Sequence, residues 1–488
     1  MVLCMGTAKR IYKNTLYLGV AEVVSRILQF VVMLYAARLL SKEHFGKFSF
    51  ALSLSFIAIV LADLGINTLL IREISRNRQL AGKYFVNAFF LKIVLSFITF
   101  FLVVAALNIL NYPSDTRQIV YIIWAFTIVL TFTELFFSIF RAFEMMFYDA
   151  FLKVLKMFLL AIAGLYVLLK GYGVVAFSYS FVAVEIITVL AALVIALNKF
   201  IKLELMIDFA FMEGILKKAL PFGLALVFGS IYFYIGSVML SKIKGDLEVA
   251  VYSVAYNIAL AILFIPTVYT NAIYPVLSRY YKESKERLKF LYIRSFKYLY
   301  IVGLPISVGT YLLAGRIILF FYGKSYYESI IALQIISWYL FLKFINFLFG
   351  TVLSSIDQQN KRMLGQGITA IFNVGINLIL IPKLGFIGAA WSTFITEILL
   401  VVLYYLYVSK SLFFFNFTQI LAKPIIAVIA MFFFVKFSNL GLILTIISSA
   451  IVYLSVLVLL KTFDNQDYDI LKRIFKPKNA SEFFVQKI

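Results

Sequence analysis

The chain has one cysteine and one histidine in 488 residues. A lone Cys4 excludes an internal disulfide and any cysteine-based metal site. A lone His44, in a short loop, reads as a solvated side chain, with proton transfer as the minor alternative. With so few such residues, no metal cluster and no Ser/His/Asp set is available. Nucleotide machinery is missing too. Gly323-Lys324-Ser325 is a fragment of G-x-x-x-x-G-K-[ST] with Ile318 where the upstream glycine belongs, so ATP hydrolysis by a known route is excluded. Charge is scarce: 14% of residues are charged, against roughly 25% in a soluble domain.

Hydrophobicity fills that space, at 63% of residues. The apolar residues fall into about fourteen runs, near 14–37, 48–70, 84–108, 118–140, 150–169, 174–197, 219–241, 249–275, 294–314, 329–353, 363–381, 385–408, 418–437 and 440–460. A membrane crossing needs roughly 20 apolar residues. In lipid such segments must be helices, because every backbone group needs an internal partner. The chain therefore reads as an all-α polytopic membrane protein. Bends or breaks are expected near Pro221, Pro266, Pro275 and Pro305. The first run is full length and has no small-residue cleavage site, so it is expected to stay as an anchor.

The first twelve runs form two similar sets of six. Lys13-Asn14-Thr15-Leu16-Tyr17-Leu18-Gly19 aligns with Lys217-Lys218-Ala219-Leu220-Pro221-Phe222-Gly223, and at the same offset Arg38 meets Lys242. Ser75-Arg76 meets Ser278-Arg279. Gly173 to Ser180 meets Gly385 to Ser392, and Glu185 meets Glu397. Six crossings separate the copies, so both enter the membrane in the same sense. Parallel halves with a substrate held between them are a transporter architecture. The expected units are 1–212 and 213–410, two six-helix lobes around a central cavity, then 411–488, two additional helices and a tail.

The net charge of +22 is mainly a topology signal. Of 45 Lys and Arg, 31 fall in loops on the side of the N-terminus and 11 on the other side. The positive-inside rule then puts both termini in the cytoplasm of a cell membrane. The basic residues are scattered through loops, which does not suit nucleic acid. The run from Ser278 to Arg294 is expected to form an amphipathic cytoplasmic helix.

Ionisable groups at membrane depth cost at least ~2.5 kcal/mol each, so they face a bundle interior or a wet cavity. Glu22 and Arg26 share one face of the first span. They are either a local ion pair that eases insertion or the place where Arg26 grips an anion in the cavity. Lys92 either snorkels or joins the same ligand site. Lys343 lies deeper, with Asn346 one turn away. The acids Asp63, Glu134, Glu185 and Glu397 are candidates for coupling to H+ or Na+, or else helix–helix hydrogen bonds. Asp63 precedes a polar break, Leu64-Gly65-Ile66-Asn67, that suits ion binding. Asp63 and Glu134 show no cationic partner at helical spacing. No catalytic residue, metal ligand or cofactor is expected.

Several segments are familiar in order and spacing. Lys13 to Gly19 runs through Ala37-Arg38-Leu39-Leu40 to Phe45-Gly46-Lys47-Phe48-Ser49-Phe50. Leu220-Pro221-Phe222-Gly223 opens the second half, Ala250 to Tyr256 follows span seven, and Ile318 to Tyr326 precedes span ten. Over essentially its whole length the chain resembles the polysaccharide flippases of the MOP superfamily, the Wzx-type exporters of lipid-linked oligosaccharides. Ser25-Arg26-Ile27-Leu28-Gln29-Phe30 also looks like the first helix of lipid II flippases, where the arginine lines the cavity. The resemblance implies alternating access that carries a polyprenyl phosphate- or pyrophosphate-linked oligosaccharide across the bilayer, with glycan assembly proteins as partners. The chain departs from the pattern at Gly236-Ser237, where many relatives carry an aspartate, so substrate identity does not transfer. A multidrug/cation antiporter of the same superfamily and a membrane glycosyltransferase, ligase or polymerase are the competing readings.

Overall fold

A computed structural model describes residues 2–201, 207–414 and 418–467. The basic tail expected beyond residue 467 and Lys202 of the linker between the halves lie outside them. Sixteen α-helices follow in order among the described residues. They are α1 (Val2–Leu39), α2 (Lys42–Asp63), α3 (Ile66–Arg76), α4 (Ala81–Ile109), α5 (Ser114–Ala142), α6 (Met146–Leu169), α7 (Gly173–Lys199) and α8 (Phe209–Lys244), then α9 (Asp246–Ile262), α10 (Phe264–Glu283), α11 (Lys285–Phe321), α12 (Ser329–Ser355), α13 (Gln359–Leu384), α14 (Phe386–Ser411), α15 (Thr418–Phe437) and α16 (Leu442–Leu459). They supply fourteen stretches long and apolar enough to cross a membrane. α2 alone supplies the second crossing, with α3 following it, and α9 with α10 forms the eighth. Phe97 and Phe101 on α4 and Leu454 and Val458 on α16 stand exposed, as a multi-pass membrane protein requires where lipid covers it.

The internal repeat reappears as packing. α1 packs on α6 as α8 packs on α13, and α5 on α7 as α12 on α14. α6 meets α7 as α13 meets α14. α2 carries most of the contact between the two sets, against α8 and α9, whereas α1 and α10 touch sparsely. α15 and α16 pair with each other and dock on α11.

Helix-to-helix contact in lipid rests on close approach of small residues. Both ends of α2 use it. A Cβ on Gly46 would collide with the backbone of Asp246 at the start of α9. At the other end the chain breaks, with left-handed backbone at Leu64 (φ 42°) and Gly65 (φ 81°). Glycine takes that conformation without steric cost. A Cβ on Gly65 would lie 2.6 Å from the Gly223 nitrogen, and one on Gly223 would lie 2.6 Å from Leu64 carbon. The break is thus interlocked, backbone to backbone, with α8.

Of the four prolines expected to bend or break helices, Pro266 sits just after the α9–α10 break, while α8, α10 and α11 continue through Pro221, Pro275 and Pro305. The stretch from Ser278 to Arg294 is not a separate amphipathic helix. It is the end of α10 and the start of α11, meeting at Ser284, whose hydroxyl accepts from the Arg287 N–H at 3.3 Å.

The repeat also closes the face opposite the N-terminus. Arg38, at the end of span one, donates to the Phe320 carbonyl at 2.8 Å, at the end of α11. Its repeat mate Lys242, at the end of span seven, donates to the Leu110 carbonyl at 2.6 Å, just past α4. Each cation reaches across to the other half and meets a helix C-terminus, where unpaired carbonyls and the helix dipole favour positive charge. Lys42 adds an ion pair to Glu328 at 3.4 Å.

Candidate functional site

Between the two sets of six spans lies a cavity of about 500 Å³. Glu22, Arg26 and Gln29 line it at spacings of four and three, so α1 turns one polar stripe inward. Ser49 and Ser53 do the same from α2, and Phe56 stacks on Tyr234 of α8 with centroids 5.3 Å apart. Tyr256 and Asn257 of α9 face them. The cavity is amphipathic: aromatic and aliphatic walls carry spaced hydroxyl, amide and charged groups.

Its charges are balanced. Arg26 Nε donates to Glu22 at 2.9 Å, and both side chains remain partly exposed, at 41% and 33%. Lys156 of α6 lies 3.4 Å from Glu185 of α7, whose carboxylate is fully buried. Neither Glu185 oxygen has a hydrogen-bond partner. Lys156 falls among the loop charges in the sequence count, but it sits ten residues into α6 and lines the cavity.

Lys343 and Asn346 line a different space, a cavity of about 340 Å³ within the second set, bounded by α8, α10, α12, α13 and α14. Phe233 and Phe347 are common to both cavities and separate them. Arg26 and Lys343, both read from the sequence as anion-binding candidates, therefore line two adjoining spaces and not one central cavity. Lys343 is also neutralised: its ammonium lies 3.1 Å from Glu397 and 4.7 Å from the Phe233 ring centroid. The Tyr232 hydroxyl and the Asn346 amide donate to the same carboxylate.

Lys92 lines neither cavity. It is fully buried, and its ammonium donates to Asp63 at 2.7 Å, the Thr131 hydroxyl at 2.8 Å and the Thr131 carbonyl at 3.0 Å. Asp63 thus has the cation that helical spacing did not reveal. Its carboxylate also accepts from the N–H groups of Gly65 at 3.2 Å and Asn67 at 3.4 Å, holding the α2–α3 break, while the Asn67 side-chain oxygen is buried without a partner. Glu134 is likewise paired, to Arg141 two turns along α5 at 3.2 Å. Arg141 in turn donates to Asp149 of α6 at 2.6 Å.

Fourteen spans, two matching sets of six and a cavity between them define the protein as a multi-pass membrane protein with a transporter fold. The chain matches the family described as Polysaccharide biosynthesis protein over residues 11–281, and it belongs to that family. Residues 221–379 also match the MatE family. The capsular polysaccharide biosynthesis protein CapF of Staphylococcus aureus is 24% identical over 416 residues, 82% of this chain and 99% of CapF. Among solved structures, the lipid II flippase MurJ in an inward closed conformation covers 93% of this chain and 98% of its own, at 17% identity and a TM-score of 0.76. An inward-facing MATE multidrug resistance transporter of the MOP superfamily covers 79% and 95%, at 19% identity and a TM-score of 0.61. At these identities the two structures establish the shared fold.

Proposed function

We propose that the chain carries a polyprenyl phosphate- or pyrophosphate-linked oligosaccharide across the cell membrane, with both termini in the cytoplasm. The observation that carries the reading is the central cavity with Arg26 half-exposed in its wall. A lipid-linked sugar must take a polar head across about 30 Å of hydrocarbon. Hydroxyl and amide groups replace its water. Arg26 exchanges its Glu22 partner for phosphate, a charge-assisted contact that a guanidinium makes well. The sparse contact between α1 and α10, both of which border the cavity, suits a tail that stays in lipid. Units 1–212 and 213–410 would rock about α2, opening and closing the Arg38 and Lys242 clasps. Of the four candidate acids, Glu185 alone lines the central cavity, and we assign it the role of taking up H+ or Na+.

The test is translocation in proteoliposomes of a polyprenyl pyrophosphate-linked oligosaccharide, read by its accessibility to an added lectin. Arg26→Ala is expected to lose at least tenfold in rate with expression retained, and Arg26→Lys to keep more. Undiminished transport in both variants assigns Arg26 to insertion or packing. The MatE match and the acids Glu22 and Glu185 favour a second reading, export of an organic cation. Ethidium extrusion by the same vesicles, without lectin-detected translocation, would select it.

A further inference from the structure

Among the described residues, the second cavity carries a cation that no acid in its wall balances. Lys343 and Arg362 both line it, with no carboxylate among its lining residues. Glu397, behind the wall, neutralises Lys343. Arg362 is held in place by neutral groups: its Nη1 donates to the Ser354 hydroxyl at 2.8 Å, and its carbonyl accepts from Tyr404 at 3.2 Å. Gly350 lies beside the guanidinium, where a Cβ would make only ordinary contact with Arg362 Nε at 3.5 Å. Around it stand Asn271, Gln359 and Gln366, and Tyr274 exposes its ring at the same cavity. Asn346, 4% exposed, lines the same cavity, and its side-chain oxygen is buried with no partner among the described residues.

We propose that this cavity is a saccharide subsite in which Arg362 grips an oxyanion, the carboxylate of an acidic sugar or the phosphate of the carrier. A guanidinium without an acidic neighbour favours a planar or tetrahedral oxyanion bound through two N–H groups. The amides of Asn271, Gln359 and Gln366 serve sugar hydroxyls. A volume of about 340 Å³ lies within the range of small-molecule sites. Phe233 and Phe347 divide the space from the central cavity, so a glycan can occupy both at once, with an aromatic pair between neighbouring units. That the oxyanion belongs to a glycan in transit rests on the flippase reading; that the cavity binds an oxyanion does not.

Binding to the purified full chain in detergent micelles tests this by ligand-observed NMR, with D-glucuronate, D-glucose and inorganic pyrophosphate as probes. At least one anion is expected to bind tenfold or more tightly than glucose. Arg362→Met should weaken that anion at least tenfold, and Arg362→Lys should weaken it less. Asn271→Trp, at an exposed position of the wall, should block the same probe by filling the cavity, and keeps the test valid if Arg362→Met fails to fold. Tighter glucuronate identifies a sugar carboxylate as the ligand, and tighter pyrophosphate the carrier phosphate. Anion binding that survives both Arg362→Met and Asn271→Trp, or no preference over glucose, overturns the proposal. The readout is binding, so failure of flipping in vesicles and failure of this subsite are separate results.

Discussion

Lys92 and Asp63 give a prediction whose size follows from the geometry. The Lys92 ammonium has three donors, and all three are used: one on Asp63 and two on Thr131. The lysine is fully buried and Asp63 is 8% exposed. Removing one member of a buried ion pair leaves the other charge uncompensated, at a cost of about 3–5 kcal/mol. Lys92→Met is therefore expected to destabilise by about that much. Asp63→Asn should fall nearer the lower end, because the introduced amide oxygen can still accept from one of the Gly65 and Asn67 N–H groups and because Thr131 still holds the ammonium. The double variant has no stranded charge and should lose only about 1–2 kcal/mol, so the two substitutions are strongly non-additive. Reversible unfolding in mixed micelles with increasing SDS measures all three. Losses under about 1 kcal/mol that simply add would refute the argument and move the support of the α2–α3 break elsewhere. The same pairing bears on ion coupling. An ion bound at Asp63 must first displace a lysine that already satisfies the carboxylate, so Asp63→Asn is expected to leave gradient dependence of transport intact.

Three further outcomes follow from the structure. Arg38→Ala with Lys242→Ala removes both clasps on the face opposite the N-terminus; each partly exposed bond is worth about 1 kcal/mol, so stability should change little while a cysteine placed at Ser53 gains reactivity toward an impermeant thiol reagent added from that face. Asp467 sits beside Arg294, Lys297 and Tyr298 after α16. Burial pushes its carboxyl up, but the Lys297 and Tyr298 hydrogen bonds and the Lys297 charge outweigh this and hold it below the ordinary carboxylate value. A depressed carboxyl contributes stability in full above its unfolded value of about 4 and loses it as pH falls through the folded value. Hydrogen exchange in α15 and α16 should therefore rise below about pH 4, and Asp467→Asn should show the fast exchange at neutral pH already. In a background with Cys4→Ser, a cysteine at Lys383 should label from outside intact cells and one at Lys285 from inside; labelling of both from one side rejects the orientation.

The sequence shows the fold because lipid leaves few choices. Runs of about 20 apolar residues must be helices, and a repeat offset near 204 residues needs no tertiary information to be seen. Ends of helices are less legible. α11 has 37 residues, about 55 Å at 1.5 Å per residue, well beyond a hydrocarbon core of about 30 Å. Its charged first turns look like a separate surface helix when read one residue at a time. The same overshoot hides Lys156 among loop charges although it lies well inside α6. Pairings are least legible. Glu22 and Arg26 are four apart and can be read as a pair, whereas Lys92 and Asp63 are 29 apart and Lys343 and Glu397 are 54 apart. Such partners meet only once helices pack. Arg362 has no sequence signal at all, because its place in a cavity wall depends on how α12, α13 and α14 pack.

The repeat is kept in the contacts of one face of the bundle and lost in the ion pairs of the two cavities. Arg38 and Lys242 occupy matching positions and make matching contacts, each to a helix end of the other half. Under the proposed rocking motion, closing that face would engage both at once. Glu185 and Glu397 also occupy matching positions, but their partners do not match. Glu185 meets Lys156 from span five, and Glu397 meets Lys343 from span ten, the counterpart of span four. The first pair stands in the wall of the central cavity, and the second is sealed from it by Phe233. The two matching acids thus stand in different environments, and the difference comes from which neighbouring helix supplies the lysine.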